Sequence, residues 1–520
     1  MGAGSAGCVI ANRLSADPAC RVLLLEAGGD DNQPLIHIPA TFMALQDTAV
    51  DWGYRTTPQV HLNGRRIFSP RGKVLGGSSS INFMMYLRGN PRDFDAWQAL
   101  GNEGWSYADV LPYFKKSEGN RTVHDAFHGN DGPLTVSSYA QPHPYGALYL
   151  QAAQALGVPL NPDFNGAQQA GCGYYQATIR DAQRCSTAVT FLHPAASRPN
   201  LSVQIHAMTT RIVVEGTRAT GVQYLQAGAM HQAHASSEVI LCGGAFNSPH
   251  LLMLSGIGPA PDLEKIGIEV QADLAGVGHN LQDHMAVSVN AAVNEAISMG
   301  AYSPAVMQAA MAQYQSDRTG LLAPNLLEAG AFICTGAQHD WPELQCFFHT
   351  NQMRLRPEDG AKTQHGIALS AYVNRPRSRG RVKLASADPL DRPVIDPNYL
   401  SDPEDIRLAV AGVRHCLQVL GHAAFDSVRV GSVHVLNAQD DDLTLEAYVR
   451  ERGQTTWHVS GSCKMGNDAM AVVDPQLRVH GMQGLRVADV SVMPNVVSSN
   501  TNAGVIMIAE KAAAMVMAGR

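Results

Sequence analysis

Three glycines at the start of the chain have the spacing of a dinucleotide-binding turn. Gly2, Gly4 and Gly7 form the pattern G-x-G-x-x-G, and an acid follows about twenty residues later, Glu26, at the end of the apolar run VLLLE. In such a turn the first glycine allows the bend, the second admits the pyrophosphate and the third lets the helix pack closely, while the acid binds ribose hydroxyls. The pattern predicts a bound dinucleotide, either NAD or FAD, because both present the same adenosine pyrophosphate.

Further motifs separate these two cofactors. RGKVLGGSSSIN (residues 71–82) and GAFNSPHLLMLSGIG (residues 244–258) resemble the two signature stretches of the glucose-methanol-choline (GMC) oxidoreductase family, whose members carry FAD. HNLQDH (279–284), WHVSGSCKMG (457–466) and the closing LRVADVSVMPN extend the resemblance over nearly the whole chain in the same order. PLIHIP, NPDFNG and RCSTAV resemble the bacterial alcohol, choline and sorbose dehydrogenase branch most. The resemblance implies FAD.

The same resemblance implies two catalytic residues. The family's catalytic histidine falls on His458, and its second active-site position, filled by His or Asn among the members, falls on Asn500. Oxidation of an alcohol needs a base for the hydroxyl proton while a hydride goes to flavin N5, and a histidine can supply that base. An amide can donate a hydrogen bond to the developing alkoxide without becoming charged. Without the motifs neither residue would stand out, because the chain has 20 histidines and Asn500 could merely cap the last helix.

The resemblance also implies where FAD binds. The predicted contacts are Gly2, Gly4, Ser5, Ala6, Gly7, Glu26, Val74, Gly77, Asn82, Phe83, Met84, Met85, Thr209, Trp457, Asp489, Asn500 and Asn502. Some family oxidases carry a histidine near the GGSSSIN loop that bonds covalently to the flavin, whereas this loop has Asn82, so we expect non-covalent FAD. Phe83 stands where many relatives have glycine and is expected to narrow the flavin-facing wall. No metal site is predicted.

Periodic patterns predict the elements that position these motifs. SAGCVIANRLSADP has helical spacing and RVLLLEAG reads as a buried strand, which together give the second half of a β-α-β unit. With the resemblance, we expect an α/β fold: a Rossmann-like FAD-binding domain and an α+β substrate-binding domain with an antiparallel sheet. Residues 1–295 are expected to form the FAD-binding N-terminal region with some substrate-domain segments, and residues 296–374 the substrate domain. Residues 375–515 are expected to continue the substrate domain to about 454 and then to return to the FAD domain.

The strand that normally precedes the glycine turn is missing from the sequence. Such a strand has about five or six residues, whereas only Met1 precedes Gly2 here. Its loss is expected to weaken the parallel sheet and the retention of FAD. We therefore predict that the chain starts inside a longer reading frame or was cut there, and that a strand-forming extension increases bound FAD.

Composition excludes several classes of protein. The net charge of −7 gives no basic stripe for a phosphate backbone, so nucleic acid is not an expected partner. Nine scattered cysteines without a C-x-x-C pair favour reduced thiols, and hence a cytoplasmic location, over disulfides or a zinc site. The most apolar tail carries Glu510 and Lys511, so no transmembrane segment is predicted, and a peripheral position at the inner membrane stays open.

The sequence as a whole predicts an FAD-dependent alcohol dehydrogenase. The substrate would be a primary alcohol, a polyol or a sugar such as sorbose, and the electrons would pass to a quinone, a cytochrome or a dye. An oxidase that uses O2 is the first alternative, and a non-redox flavoprotein, lyase-like or truncated and inactive, is the second. An NAD-dependent dehydrogenase is a third. The alcohol, the natural acceptor and the oligomeric state have no readable signal, because selectivity depends on pocket walls drawn from several segments.

Overall fold

The computed structural model describes residues 1–336, 341–351, 365–430 and 436–519. Helices predicted from the patterns at both ends of the chain are present. The α-helices are α1 (Ser5–Leu14), α2 (Pro34–His37), α3 (Pro91–Ala99), α4 (Tyr107–Ser117), α5 (Pro144–Ala155), α6 (His193–Ala195), α7 (Gly244–Leu254), α8 (Ala260–Lys265), α9 (Pro304–Asp317), α10 (Pro403–Gly421), α11 (Asp442–Arg452) and α12 (Asn502–Ala518).

Most of the described strands are short, and the longer ones belong to two antiparallel sheets. The strands are β1 (Val22–Leu25), β2 (Tyr54–Arg55), β3 (Phe68–Ser69), β4 (Met85–Tyr86), β5 (Glu118–Asn120), β6 (Leu134–Val136), β7 (Gly171–Tyr174), β8 (Gln176–Ala177), β9 (Ile179–Arg180), β10 (Gln183–Arg184), β11 (Leu201–Gln204), β12 (Met208–Glu215), β13 (Arg218–Gln226), β14 (Ala229–His234), β15 (Val239–Leu241), β16 (Ile257–Gly258), β17 (Ala272–Asp273), β18 (Met285–Ala292), β19 (Ala329–Ile333), β20 (Leu344–His349), β21 (Gly366–Val373), β22 (Arg381–Lys383), β23 (Val394–Asp396), β24 (Gln454–Thr455) and β25 (Leu485–Val487).

Two parallel strand pairs flank the glycine turn. Strand β1 pairs with β11, and β15 pairs with β25. The first two residues of the chain lie between these pairs: the amine of Met1 donates to the carbonyl of Ile240 at 2.8 Å, and Gly2 N donates to the carbonyl of Leu25 at 2.8 Å. The backbone of Met1 and Gly2 therefore bonds to a strand on each side, as a strand inside a sheet does. That the natural reading frame is longer stays a prediction.

Helix α12 packs against α1, although its sequence carries charges. The buried carboxylate of Glu510 binds the guanidinium of Arg13 on α1 at 2.6 Å, which satisfies a charge that would otherwise be costly to bury. The ammonium of Lys511 donates to the carbonyl of Gly104 at 2.7 Å. Among the helices of the described residues, none is long and apolar enough to cross a membrane.

An antiparallel sheet of six strands lies on the other side of the site, as expected for the substrate-binding part. Its strand order is β24-β18-β21-β20-β19-β7. Helix α10 packs closely on β21, because a Cβ on Gly412 would lie only 2.8 Å from the Cβ of Ala371. Successive side chains on a strand point to opposite faces. Tyr372 and its register partner Gln345 on β20 therefore lie on the face away from α10, toward the site.

The apolar core of this sheet also takes in a segment from the first third of the chain. Tyr149 on α5 is fully buried and stacks on Phe348 of β20 with ring centroids 5.1 Å apart. A separate core packs α1 and α12 with the parallel strand pairs. The fold is therefore mixed α/β, as the sequence predicts, while the domain boundaries at 295 and 374 stay a prediction.

Candidate active site

One large cavity connects the glycine turn with the catalytic pair predicted from the resemblance. Its volume is about 600 Å³, a size typical of cofactor and ligand sites. The predicted residues on its wall are Gly2, Gly4, Ser5, Ala6, Glu26, Gly77, Asn82, Phe83, Met84, Met85, Thr209, Trp457, His458, Asp489, Asn500 and Asn502. Gly7 and Val74 are buried but do not line it. The fold thus brings most of the predicted set to one space.

The glycine turn has two sides with different constraints. A Cβ on Gly7 would lie 1.8 Å from the carbonyl oxygen of Gly2, whereas a Cβ on Gly4 would meet nothing closer than the Cα of Gly77 at 3.9 Å. Gly7 therefore allows α1 to pack on the preceding backbone, and Gly4 leaves space on the cavity side. No side chain of the described residues caps α1 at Gly4, so its first N–H groups can bind an anion.

Glu26 joins the end of β1 to this turn. Its Oε2 accepts a hydrogen bond from Ala3 N at 2.8 Å, and its Oε1 accepts one from Gly28 N at 2.8 Å. Burial raises the pKa of this carboxyl above its ordinary value, and the two N–H donors oppose the increase. Each carboxylate oxygen has further acceptor capacity, so Glu26 can still bind ribose hydroxyls in the cavity.

The loop that carries Asn82 is held from behind by a buried arginine. Arg184 is 1% exposed, and its Nη1 donates to the carbonyl oxygen of Asn82 at 2.7 Å and to Oδ1 of Asn82 at 2.8 Å. Burial lowers the pKa of Arg184 to about 9. The next side chain, Phe83, stacks on Trp457 with ring centroids 5.0 Å apart. Both rings line the cavity. That Phe83 narrows the cavity, compared with the glycine of many relatives, stays a prediction.

Asp489 and Asn502 hold helix starts at the cavity wall. Oδ2 of Asp489 accepts from Gly244 N at 2.9 Å and from Ser248 Oγ at 2.6 Å, which fixes the beginning of α7. Oδ1 of Asn502 accepts from Ser5 Oγ at 2.7 Å, which links the beginnings of α1 and α12. Asp489 and Asn502 therefore contribute to the cavity wall by fixing the starts of these helices.

His458 and Asn500 meet on the wall of the same cavity. Nδ2 of Asn500 lies 3.2 Å from Nε2 of His458. His458 is 8% exposed and its backbone N–H donates to Oδ1 of Asp283 at 2.8 Å. Asn500 stands in the loop directly before α12, whose helix start lies beside the glycine turn. A proton acceptor and a neutral hydrogen-bond donor therefore face one small volume.

The other ring nitrogen of His458 faces a second histidine. His458 Nδ1 lies 3.0 Å from Nδ1 of His284 and 2.9 Å from the hydroxyl of Thr456. Nε2 of His284 lies 2.9 Å from the carbonyl oxygen of Asn374, which can only accept, so His284 donates there and accepts at Nδ1. Neutral His458 consequently carries its proton on Nδ1 and has a lone pair on Nε2, directed toward Asn500.

Burial keeps both histidines neutral. It lowers the pKa of His284 to about 3. It also lowers the pKa of His458 well below its ordinary value, with His284 and Arg71 adding to the effect. For Asp283, burial raises the pKa to about 6, against the hydrogen bonds from Thr455 and Tyr399. At neutral pH the imidazole of His458 is therefore uncharged, and Nε2 carries a lone pair.

Three residues of this site have no predicted role from the sequence. Asp283 and His284 stand in the motif HNLQDH, which is the signal that could have identified them. Gln345, whose Nε2 lies 3.3 Å from Oδ1 of Asn500, stands in β20 and has no motif around it. Only the fold shows that it reaches the catalytic pair.

Comparisons with known proteins give the family. The sequence profile described as GMC oxidoreductase matches residues 1–286, and its C-terminal counterpart matches residues 376–509. The chain is 42% identical to "Alcohol dehydrogenase [acceptor]" of Pseudomonas putida over 99% of this chain and 95% of that protein. It is 44% identical to mitochondrial choline dehydrogenase of Homo sapiens, over 99% of this chain and 88% of that protein.

A solved structure agrees with these matches. Pyridoxine 4-oxidase from "Mesorbium loti" superposes with a TM-score of 0.90 at 29% identity, and the match covers 99% of this chain and 97% of the other. Sequence and fold therefore give the same answer over nearly the full length. The chain belongs to the GMC oxidoreductase family and is an oxidoreductase acting on CH–OH donors, with FAD as the cofactor that this family implies.

Proposed function

We propose that the protein oxidises an alcohol to an aldehyde or ketone with non-covalently bound FAD and passes the electrons to a separate acceptor. The observation that carries this proposal is the 3.2 Å contact between His458 Nε2 and Asn500 Nδ2 on the wall of the cavity that begins at the glycine turn. A base and a neutral donor at one point are what removal of a hydroxyl proton requires.

The residues on the cavity wall fit FAD. The uncapped first turn of α1 suits the pyrophosphate, Glu26 suits the ribose, and the open side of Gly4 leaves the space that a phosphate needs. FAD, when bound, supplies a hydride acceptor at flavin N5. Non-covalent binding is supported by Asn82, whose amide lacks the nucleophilic ring nitrogen of a histidine and is engaged by Arg184 and Met84 N.

In this mechanism His458 acts as the general base. Its Nε2 lone pair accepts the hydroxyl proton of the alcohol, and its Nδ1–H stays bonded to His284 and Thr456. Asn500 donates its N–H to the oxygen on which negative charge develops. Asp283 fixes the backbone of His458, so that the ring does not have to reorient as the proton moves.

We propose an alcohol as the substrate without naming a single compound. Two relatives are named alcohol dehydrogenase and choline dehydrogenase, which supports an alcohol. The stacked rings of Phe83 and Trp457 next to His458 favour alcohols with an apolar or aromatic carbon skeleton, because they present an apolar face. Sorbose and other sugars stay predictions.

The acceptor is proposed to be a quinone, a cytochrome or, in vitro, a dye. The relative from Pseudomonas putida is named as a dehydrogenase with a generic acceptor. Oxygen is the second candidate, since the structural relative is named pyridoxine 4-oxidase. Production of hydrogen peroxide in air, at a rate that matches alcohol consumption, would favour the oxidase. We also propose a cytoplasmic location, peripheral contact with the inner membrane and the three-part domain division.

Anaerobic visible spectroscopy tests the proposal. The purified protein is mixed with a panel of alcohols: a linear primary alcohol, benzyl alcohol, choline, a polyol and L-sorbose. Bleaching of the flavin bands by at least one alcohol in the parent, and not in a His458→Gln variant with the same FAD content, is the expected result. A flavin-containing parent that no alcohol bleaches, but that dithionite reduces, would favour the non-redox alternative.

A further inference from the structure

The direction of the hydrogen bonds around His458 is set by one backbone carbonyl. The carbonyl of Asn374 only accepts, so His284 donates to it from Nε2 and, being neutral, accepts at Nδ1. His458 therefore donates from Nδ1, at 3.0 Å, and accepts at Nε2. Since Nε2 accepts, Asn500 must turn its N–H, and not its carbonyl, toward His458.

The same constraint passes through Asn500 to strand β20. With its N–H on His458, Asn500 presents Oδ1 to Gln345 at 3.3 Å, so Gln345 donates from Nε2. Its Oε1 then accepts from the hydroxyl of Tyr372. Tyr175 agrees with this orientation: its hydroxyl donates to the carbonyl of Cys346 at 2.6 Å, which leaves its oxygen as an acceptor 3.5 Å from Gln345 Nε2. Every bond from Tyr372 to the carbonyl of Asn374 therefore runs in one direction, in which hydrogen bonds reinforce each other.

Gln345 is well placed to impose this order on Asn500. It is fully buried and stands opposite Tyr372 in the register of β20 and β21, so a six-stranded sheet fixes its position. The ring of Tyr372 stacks on His284 with centroids 4.7 Å apart. The two ends of the hydrogen-bond chain, Tyr372 and the carbonyl of Asn374, thus lie at the C-terminal end of β21, whereas Asn500 lies in a loop.

We propose that Gln345 is a positioning residue for alcohol oxidation, acting through Asn500. It keeps the amide N–H on the His458 side, so that an alcohol oxygen that replaces the direct bond between Asn500 and His458 receives that N–H. The inference rests on the proposed function. In the reaction the hydroxyl proton passes to His458 Nε2, and the alcohol oxygen accepts a hydrogen bond from Asn500 as it becomes a carbonyl. FAD, when bound, would supply the acceptor for the hydride that the carbinol carbon gives up. A reversed Asn500 would present its own carbonyl oxygen to that charge and destabilise it.

A double-mutant cycle tests the route through Asn500. Gln345→Met, which is similar in size and has no amide, is expected to lower kcat roughly 3- to 10-fold, the value of one hydrogen bond, with KM changed by less than about twofold. In an Asn500→Ala background the same change should alter kcat by less than about twofold, because the group on which it acts is gone. An equal loss in both backgrounds would mean that Gln345 acts through packing. Unchanged kcat in Gln345→Met would equally overturn the proposal.

A control and a readout without turnover complete the test. Ser288 lies on the same face of the sheet but outside the hydrogen-bond chain, and its Oγ lies 2.6 Å from Ser370 Oγ. Ser288→Ala should therefore leave kcat unchanged. In nitrogen-15 NMR of histidine-labelled enzyme, the His458 signal, assigned by its loss in His458→Gln, is expected as the Nδ1–H tautomer, with an Nε2 shift that changes in Gln345→Met. An Nε2–H tautomer, or an unchanged shift, would overturn the inference. If no alcohol reduces the parent, the proposed function fails, and the spectrum then tests only whether Gln345 sets the direction of the hydrogen bonds at His458.

Discussion

Replacement of Gly4 or Gly7 by alanine should impair the protein in different ways, although both glycines belong to the same turn. The added methyl of Gly7→Ala would lie 1.8 Å from the carbonyl oxygen of Gly2, inside the protein itself. The methyl of Gly4→Ala would come no closer than 3.9 Å to any protein atom, here the Cα of Gly77, and Gly4 has φ of −82°, which any residue adopts. The first change should therefore damage the fold, and the second only the cavity.

The sizes of the two effects follow from these contacts. Gly7→Ala must move α1 away from Gly2, and overpacking of this kind costs about 1 to 3 kcal/mol or more of unfolding free energy. Gly4→Ala should change the stability of the apoprotein by less than about 1 kcal/mol. If a phosphate lies against Gly4, the methyl displaces a hydrogen bond to a charged group, which is worth about 1.5 to 3 kcal/mol. FAD should therefore bind roughly 10- to 150-fold more weakly.

Two measurements on each variant separate these effects. Urea unfolding of the FAD-free protein gives the stability, and quenching of flavin fluorescence during titration gives the affinity for FAD. Gly421→Ala is the matched control, because nothing lies within 4 Å of the added Cβ and the site is far from the turn in sequence. Parent-like FAD affinity in Gly4→Ala would refute the placement of the pyrophosphate at this turn. An apoprotein as unstable as Gly7→Ala would refute the reasoning about space.

Further predictions concern the histidines. His458→Gln should keep FAD but slow anaerobic flavin reduction about 10²- to 10⁴-fold in stopped-flow traces, and a loss below about tenfold would point to another base. Because the pKa of His284 is about 3 in the folded protein, the unfolded chain takes up a proton that the folded one does not as pH falls below 6.5. Stability should thus drop by about 3 kcal/mol between pH 6.5 and 4, and urea unfolding of His284→Asn should show a flatter dependence. For His128, burial lowers the pKa, but hydrogen bonds to Asp163 and Glu118 outweigh it and raise the value to about 9. Its stabilisation should be complete below pH 6.5 and lost as pH rises through 9, and alkaline unfolding of His128→Gln should lack this loss.

The sequence predicts the cofactor end of the site better than the catalytic end. Gly2, Gly4 and Glu26 lie within 26 residues of each other, and their spacing reflects a local turn, a helix start and a strand end. Their mutual contacts, such as the bond from Ala3 N to Glu26, follow from that local geometry. The helices and strands around them were also predictable, because their apolar periodicity is strong.

The catalytic end depends on contacts between distant segments. His284 and His458 are 174 positions apart, and Asn500 and Gln345 are 155 apart. A buried glutamine in an apolar strand has no pattern of its own, so only the register of β20 with β21 reveals that it faces Tyr372. Motif resemblance predicts His458 and Asn500, and the motif HNLQDH contains Asp283 and His284. Gln345 stands in no motif, so it is recognisable only from hydrogen-bond geometry.

Buried polar bonds hold the segment around His458. Trp457, directly before it, has φ of +66°, a strained conformation for a residue with a side chain, at a cost of about 1 to 3 kcal/mol. Its N–H donates to Thr455 Oγ1 at 2.7 Å, and its carbonyl accepts from Arg71 Nη2 at 2.6 Å. Thr455 in turn donates to Asp283, which also holds the N–H of His458. The strain is thus offset by a network that fixes two successive peptides, and a loss in this network should misplace the His458 ring before it unfolds the protein.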